Sequence, residues 1–194
     1  AFSPNIIAHA GLATNDLPVT VFIFLTFYCY YRCTTHPKNN WNWVLLGLAA
    51  GAALCTKFNS LIILPVLLII SFFARNWKAY TPGRIFLSLC GLVVIIFLTY
   101  NFTFSEYFIS GMTMTLRDVK LGHDNFFLGE HSRNGWRYFY LLSTLICTPL
   151  PLLILLILTL LRIITKNQIL SRENILFYLP VIILFVVASL SNKQ

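Results

Sequence analysis

Three groups of side chains in this sequence have the types and spacing for chemistry. Asp16 stands in Thr14-Asn-Asp-Leu-Pro18, directly before an apolar run. A carboxylate there caps a helix by accepting from its first N–H groups, with Pro18 in the turn that tolerates a missing N–H. At a membrane surface the same group can bind a metal or orient a polar donor, and the two roles are compatible. Lys57 interrupts an apolar stretch at Thr56-Lys-Phe-Asn-Ser60. A lysine at depth is costly unless it snorkels or pairs, so Lys57 is either a turn lysine reaching for water or a compact point charge for a phosphate. The third group is the segment from Gly122 to Tyr140, which gathers His123, Asp124, Glu130, His131, Arg133 and Arg137 within 19 residues. The guanidinium forks of Arg133 and Arg137 suit phosphate oxygens. Trp136, Tyr138, Phe139 and Tyr140 fit an interfacial belt anchoring the next helix. Gly122, Gly129, Gly135 and the packed charges point in addition to a folded loop of the kind that carries function. His123 and His131 are eight apart, a spacing that matches no standard zinc pattern.

The elements that must position these groups are written in the composition. Of the 194 residues 58% are hydrophobic and only 10% charged, and the mean hydropathy is +0.76. Soluble domains carry roughly a quarter charged residues, which excludes a soluble globular enzyme, and disorder needs the opposite balance of apolarity and charge. The expectation is an all-α, polytopic transmembrane bundle of about six to seven spans, near 1–10, 17–31, 43–56, 58–74, 85–101, 138–161 and 174–190, with a long outer loop over 102–137. Pro149 and Pro151 predict a kink or a helix restart early in the 138–161 span. The first residue, Ala1, has no charged stretch before it, and Ser191-Asn-Lys-Gln194 follows directly on an apolar run; both give the expectation of a piece of a larger protein.

One stretch, Trp43 to Ile70, needs charge to decide it. As a single helix it would run roughly 42 Å, longer than a hydrocarbon core of ~30 Å. With a reversal near Lys57, the loops at 32–42, 75–84 and 162–173 share one face. That face holds Arg32, Lys38, Arg75, Lys78, Arg84, Arg162, Lys166 and Arg172 against Glu173 alone, a balance of +7. The opposite face then holds Asp16, Glu106, Asp118, Asp124 and Glu130 with six cations, a balance of +1. Basic loops belong on the cytoplasmic side, so the reversal is adopted, and the net charge of +8 needs no nucleic-acid partner. His9–Asp16, Thr56–Ser60 and Glu106–Arg137 then converge on the outer face. Cys29, Cys33, Cys55, Cys90 and Cys147 form no CxxC and no Cys/His cluster, and read as small buried hydrophobes. Asn101-Phe-Thr103 matches a glycosylation sequon, a weak signal that carries no meaning in a bacterium.

Three stretches also carry a family resemblance. Ser3-Pro-Asn-Ile-Ile-Ala-His-Ala-Gly-Leu-Ala-Thr-Asn-Asp-Leu-Pro18 resembles the AHxRLxTTDLP stretch of the PMT-like, phospholipid-carrier-dependent glycosyltransferases of the GT-C fold. Leu54-Cys-Thr-Lys-Phe-Asn-Ser-Leu-Ile-Ile-Leu-Pro65 is similar to their LTKFSALLLLP segment, and Gly122 to Tyr138 with Thr148-Pro-Leu-Pro-Leu-Leu153 to their GHxxFLxGxxSxxGWxYYF…KTPLPLLL block. The segments occur in the right order across most of the chain. The chain departs from the pattern at Gly11, where many members carry Arg, and at Cys147, where Lys is frequent.

The resemblance implies a glycosyltransferase that takes a hexose or pentose from a polyprenyl-phosphate donor and passes it to a protein or lipid acceptor, as in protein glycosylation or lipid A modification of the cell envelope. Transfer would occur on the periplasmic face of a bacterial inner membrane or, alternatively, the lumenal face of the endoplasmic reticulum. Asp16 takes the family's acidic position, as a candidate catalytic residue that binds a divalent metal ion or orients the donor. His9, Lys57, His123, Glu130, Arg133, Trp136 and Arg137 are the expected substrate-binding residues. The family's main catalytic carboxylate lies in the first outer loop, upstream of Ala1. A transporter would place polar residues inside the spans, and spans 17–31, 85–100 and 138–161 hold almost none before their ends. A non-catalytic membrane subunit would not need the charged, glycine-bearing outer segment.

Overall fold

The computed structural model describes residues 15–74, 79–101, 104–121, 125–127, 129–132, 136, 138–165 and 172–190. The expected span near 1–10 lies outside them. The chain divides into two compact units, His9–Thr115 and Leu116–Gln194 with Ala1–Ala8. The described residues are mostly helical, as an all-α membrane protein requires.

The first unit is built from α1 (Asp16–Thr35), α2 (Asn40–Thr56), a 3-10 turn (Phe58–Ile62), α3 (Ile63–Ala74), α4 (Pro82–Tyr100) and the first part of α5 (Phe104–Leu121). Its core sits on α2, where Trp43, Leu46, Ala50, Ala53 and Leu54 are buried. Lipid supplies no hydrophobic force between apolar helices, so close approach and dispersion must hold them together. Small residues on α2 make that approach possible. A Cβ on Gly47 would collide with the Ser88 carbonyl oxygen, and one on Gly51 with the Ile95 side chain. A Cβ on Gly91 of α4 would lie 2.7 Å from the Val44 carbonyl oxygen. Partner numbers rise together along both helices, so α2 and α4 run parallel. The outer faces carry Phe86, Leu89, Val94 and Leu98, all exposed. Surfaces of that kind face hydrocarbon rather than water.

Hydrogen bonds fix the direction of each helix. At one end, the Tyr30 hydroxyl meets Ser71 Oγ at 2.8 Å and the Tyr80 hydroxyl at 2.6 Å, and the Trp43 and Tyr80 rings pack edge to face at 5.7 Å. At the other end, Lys57 Nζ reaches Asp16. α1 therefore runs away from the Asp16 end, α2 returns to it, α3 leaves again and α4 returns. The reversal at Lys57 inferred from charge is present. The loop 36–39 and the segment leading into α4 share the end opposite Lys57.

Several sequence expectations need correction. The stretch 102–137 is not one loop. It contains the 18-residue helix α5 and a short antiparallel hairpin of β1 (Asn125–Phe127) and β2 (Glu130–Ser132), so the chain is not strictly all-α. α5 mixes apolar residues such as Phe104, Phe108, Met112 and Leu116 with Ser, Glu, Thr, Arg and Lys, an amphipathic pattern that a search for continuous apolar runs passes over. Gly129, at φ 90°, supplies the left-handed backbone between the strands. The kink or restart expected at Pro149 and Pro151 is present: the 138–161 span divides into α6 (Phe139–Cys147) and α7 (Leu150–Thr165), bent by 118°. Thr148 is extended because the proline ring of Pro149 clashes with a helical predecessor. The last helix, α8 (Arg172–Leu190), packs on α6 in the second unit. By length and apolarity, two described helices, α1 and α4, are full spans, and the α6–α7 pair makes a third if taken as one broken span. α2, the Phe58–Phe73 stretch and the Tyr178–Ser189 part of α8 are shorter.

Candidate functional site

The two sequence candidates in the first unit come together. Asp16 is not the N-cap residue of α1. It occupies the first helical position, while Asn15 sits at the cap without a side-chain bond. In the first turn its charge still opposes the positive end of the helix. Pro18 falls in the same turn, where its missing N–H removes no helical hydrogen bond. The chain leaves α2 through Lys57 in an extended conformation, φ −157° and ψ 123°, and the Ser60 N–H donates back to the Lys57 carbonyl. This geometry turns the lysine toward the start of α1. Lys57 Nζ donates to Asp16 Oδ1 at 2.6 Å, across 41 residues of sequence. The pair is accessible to solvent, with the Lys57 side chain 43% and the Asp16 side chain 58% exposed. The ammonium carries two further N–H donors, so it can hold a phosphate oxygen without leaving its carboxylate.

α5 lies against the same turn. The Phe58 ring packs edge to face with Phe108 at 5.2 Å, and Phe108 with Tyr100 at 5.7 Å. A Cβ on Gly111 would stand 2.5 Å from the Phe58 ring, so that glycine permits the contact. Beside this turn is an apolar cavity of about 370 Å3 lined by Leu54 and Leu64, which flank Lys57 in sequence, by α4 residues including Leu92 and Ile96, and by Phe108. Ser60, three residues after Lys57, is 3% exposed and its hydroxyl has no hydrogen-bond partner.

The other candidates fall elsewhere. Glu130 and Trp136 belong to the second unit. Glu130 is exposed on β2 opposite Phe127, and the Trp136 ring lies 5.6 Å from that of Phe127. Phe127 also packs edge to face on Phe139 at 4.8 Å, and Phe126 lies 4.9 Å from the His131 ring. The aromatic residues of this segment thus fold a hairpin onto the start of α6. His9, His123, Arg133 and Arg137 lie outside the described residues. Among the described residues no group of three His, Cys, Asp or Glu is placed to hold a metal ion. A divalent ion at Asp16 would compete with the ammonium already on its oxygen. Sequence reasoning missed the glycine seam of α2, although Gly47 and Gly51 stand four apart, and the Tyr30–Ser71–Tyr80 hydroxyl cluster, for which no sequence signal exists.

The bundle that carries Asp16, Lys57 and the neighbouring cavity is also the part of the chain with a family match. Residues 1–102 match the model of the dolichyl-phosphate-mannose-protein mannosyltransferase family. The chain belongs to that family. It is an integral membrane protein of glycosyltransferase type. The family's name describes mannose transfer from dolichyl phosphate to protein. The match ends at the start of α5, so the hairpin and helices α6–α8 lie beyond it. No curated protein and no solved structure matches the chain.

Proposed function

We propose that the protein transfers a glycosyl group from a polyprenyl-phosphate sugar to a protein or lipid acceptor at the membrane face that holds Asp16 and Lys57. The observation that carries this reading is the ion pair itself. It stands accessible at the end of a bundle matched to the mannosyltransferase family, next to an apolar cavity. A prenyl-phosphate donor has the same two-part chemistry, an anionic head and a hydrocarbon chain. In this proposal Lys57 meets the donor phosphate and Asp16 holds the ammonium in position, while the cavity beside Leu64 and Phe108 accepts the first isoprene units.

The reaction is an inverting displacement. The acceptor oxygen bonds to the anomeric carbon as the bond from that carbon to the phosphate oxygen breaks. The acceptor proton passes to a carboxylate upstream of Ala1. The leaving phosphate gains charge, and Lys57 offsets it. A divalent ion at Asp16 would have to share the oxygen that Lys57 holds, and the transfer step is written with the ion pair alone. The full complement of six to seven spans, counting the shorter helices, and the outer location of the site remain part of this reading.

The test is an assay of the complete protein in proteoliposomes with a panel of labelled prenyl-phosphate hexoses and pentoses. Consumption of one donor, lost in Lys57→Ala and Asp16→Asn, supports the proposal. Consumption of none, with passage of a solute across the bilayer, would favour the transporter.

A further inference from the structure

The end of the bundle opposite Lys57 carries a second concavity that the transfer reaction does not use. Its volume is about 550 Å3, and Arg32, Thr35, His36, Pro37, Lys38 and Asn39 line it. No described lining residue is acidic, and Arg32 and Lys38 are exposed. The loop that shapes the pocket is held from several sides. His36 N–H donates to the Arg32 carbonyl at 2.9 Å and Asn39 N–H to the His36 carbonyl at 3.2 Å. Trp43 Nε1 donates to the Pro37 carbonyl at 3.2 Å, and Asn42 Nδ2 to the Arg32 carbonyl at 3.4 Å. The Asn39 side chain accepts from Trp41 N–H, which starts α2 at the pocket's edge. Arg32, in the last turn of α1, and Lys38, on the loop, are thus mounted on backbone fixed before any ligand arrives, so little ordering is left for binding.

Depth identifies the ligand. Tyr28 and Trp41, 45% and 63% exposed, flank the pocket as interfacial aromatics do, and the helices beyond are apolar. A cationic pocket at that level meets phospholipid headgroups before any other anion. We propose that it holds the phosphate of an anionic phospholipid headgroup, in the leaflet opposite the Asp16–Lys57 pair.

The experiment is native mass spectrometry of the complete protein in detergent, titrated with palmitoyl-oleoyl phosphatidylglycerol or with the matching phosphatidylcholine. The expected result is one retained phosphatidylglycerol in clear preference to phosphatidylcholine. Each cation removed should weaken retention roughly fivefold, so Arg32→Gln with Lys38→Gln should weaken it on the order of twentyfold. Arg162→Gln, at the exposed end of α7, should change nothing. Should the double variant lose its thermal unfolding transition, Lys38→Gln alone removes one exposed loop cation and still predicts the fivefold loss. Equal retention of both lipids, a preference that survives these substitutions, or an equal loss in Arg162→Gln overturns the site. Displacement of phosphatidylglycerol by millimolar inorganic phosphate overturns the lipid assignment in favour of free phosphate.

Discussion

A lysine ammonium 2.6 Å from a carboxylate, with both groups open to solvent, adds little to stability. Exposed pairs of this kind are worth about 1 kcal/mol or less. The proposed function accounts for their presence at the end of a family-matched bundle by binding. Asp16→Asn and Lys57→Met should therefore leave the melting temperature of the purified protein within a few degrees of wild type. Sugar transfer should fall about tenfold or more, as expected when a charge that stabilises a leaving group is removed or mispositioned. Unimpaired transfer in either variant removes that residue from the site, and a collapse in melting temperature makes the pair structural. Both residues were legible in the sequence, each by its type and its boundary position. Their contact was not, because nothing in a linear order says that positions 41 apart share one end of a bundle. The N-cap expectation for Asp16 failed for a local reason: the helix begins one residue earlier than the cap motif implied, with Asn15 at the cap and Asp16 in the first turn, its carboxylate on Lys57.

At the scale of elements, the α2–α4 seam depends on the absence of side chains. Gly47→Ala would press a methyl group on the Ser88 carbonyl, and Gly91→Ala would press one on Val44. Backbone cannot yield as a flexible side chain does, so each should cost about 1–3 kcal/mol or more. Gly83, in the first turn of the same helix α4, has nothing within 4 Å of a built Cβ. Gly83→Ala should be neutral or stabilise by up to about 1 kcal/mol through lower backbone entropy in the unfolded chain. Thermal unfolding in one detergent compares the three, and equal effects would refute a close-packed seam. Tyr30→Phe removes the hydroxyl that joins Ser71 and Tyr80 and should destabilise by about 1–2 kcal/mol, read in the same assay. The apolar runs that predicted α1 to α4 were easy to see, since lipid demands them. α5 and the hairpin were hidden because an amphipathic helix has no continuous apolar run and a three-residue strand has no periodicity to detect.

At the scale of the molecule, the first unit separates two chemistries by the length of its helices. The Asp16–Lys57 pair and the Phe58–Phe108 contact stand at one end, and Arg32, Lys38 and the Tyr30 cluster at the other. With the five native cysteines replaced, Asn39→Cys and Asn59→Cys, both at exposed positions, should be labelled by an impermeant maleimide from opposite sides of sealed vesicles. Labelling of both from one side would remove the separation on which the site and the lipid pocket both depend.

The sequence by itself determined the solvent, the helical class, the turn at Lys57 and the two charged residues of the candidate site. Each of these follows from local composition, because a bilayer selects apolar length and repels charge wherever it occurs along a chain. Only the tertiary structure decided that Asp16 and Lys57 form a pair, that the glycines of α2 lie against α4, how far the break foreseen at Pro149 bends the span (118°) and that Arg32 and Lys38 share a pocket. Those are relations between distant or differently folded segments. They arise from how helices approach once they are formed, and no pattern along the chain encodes that distance.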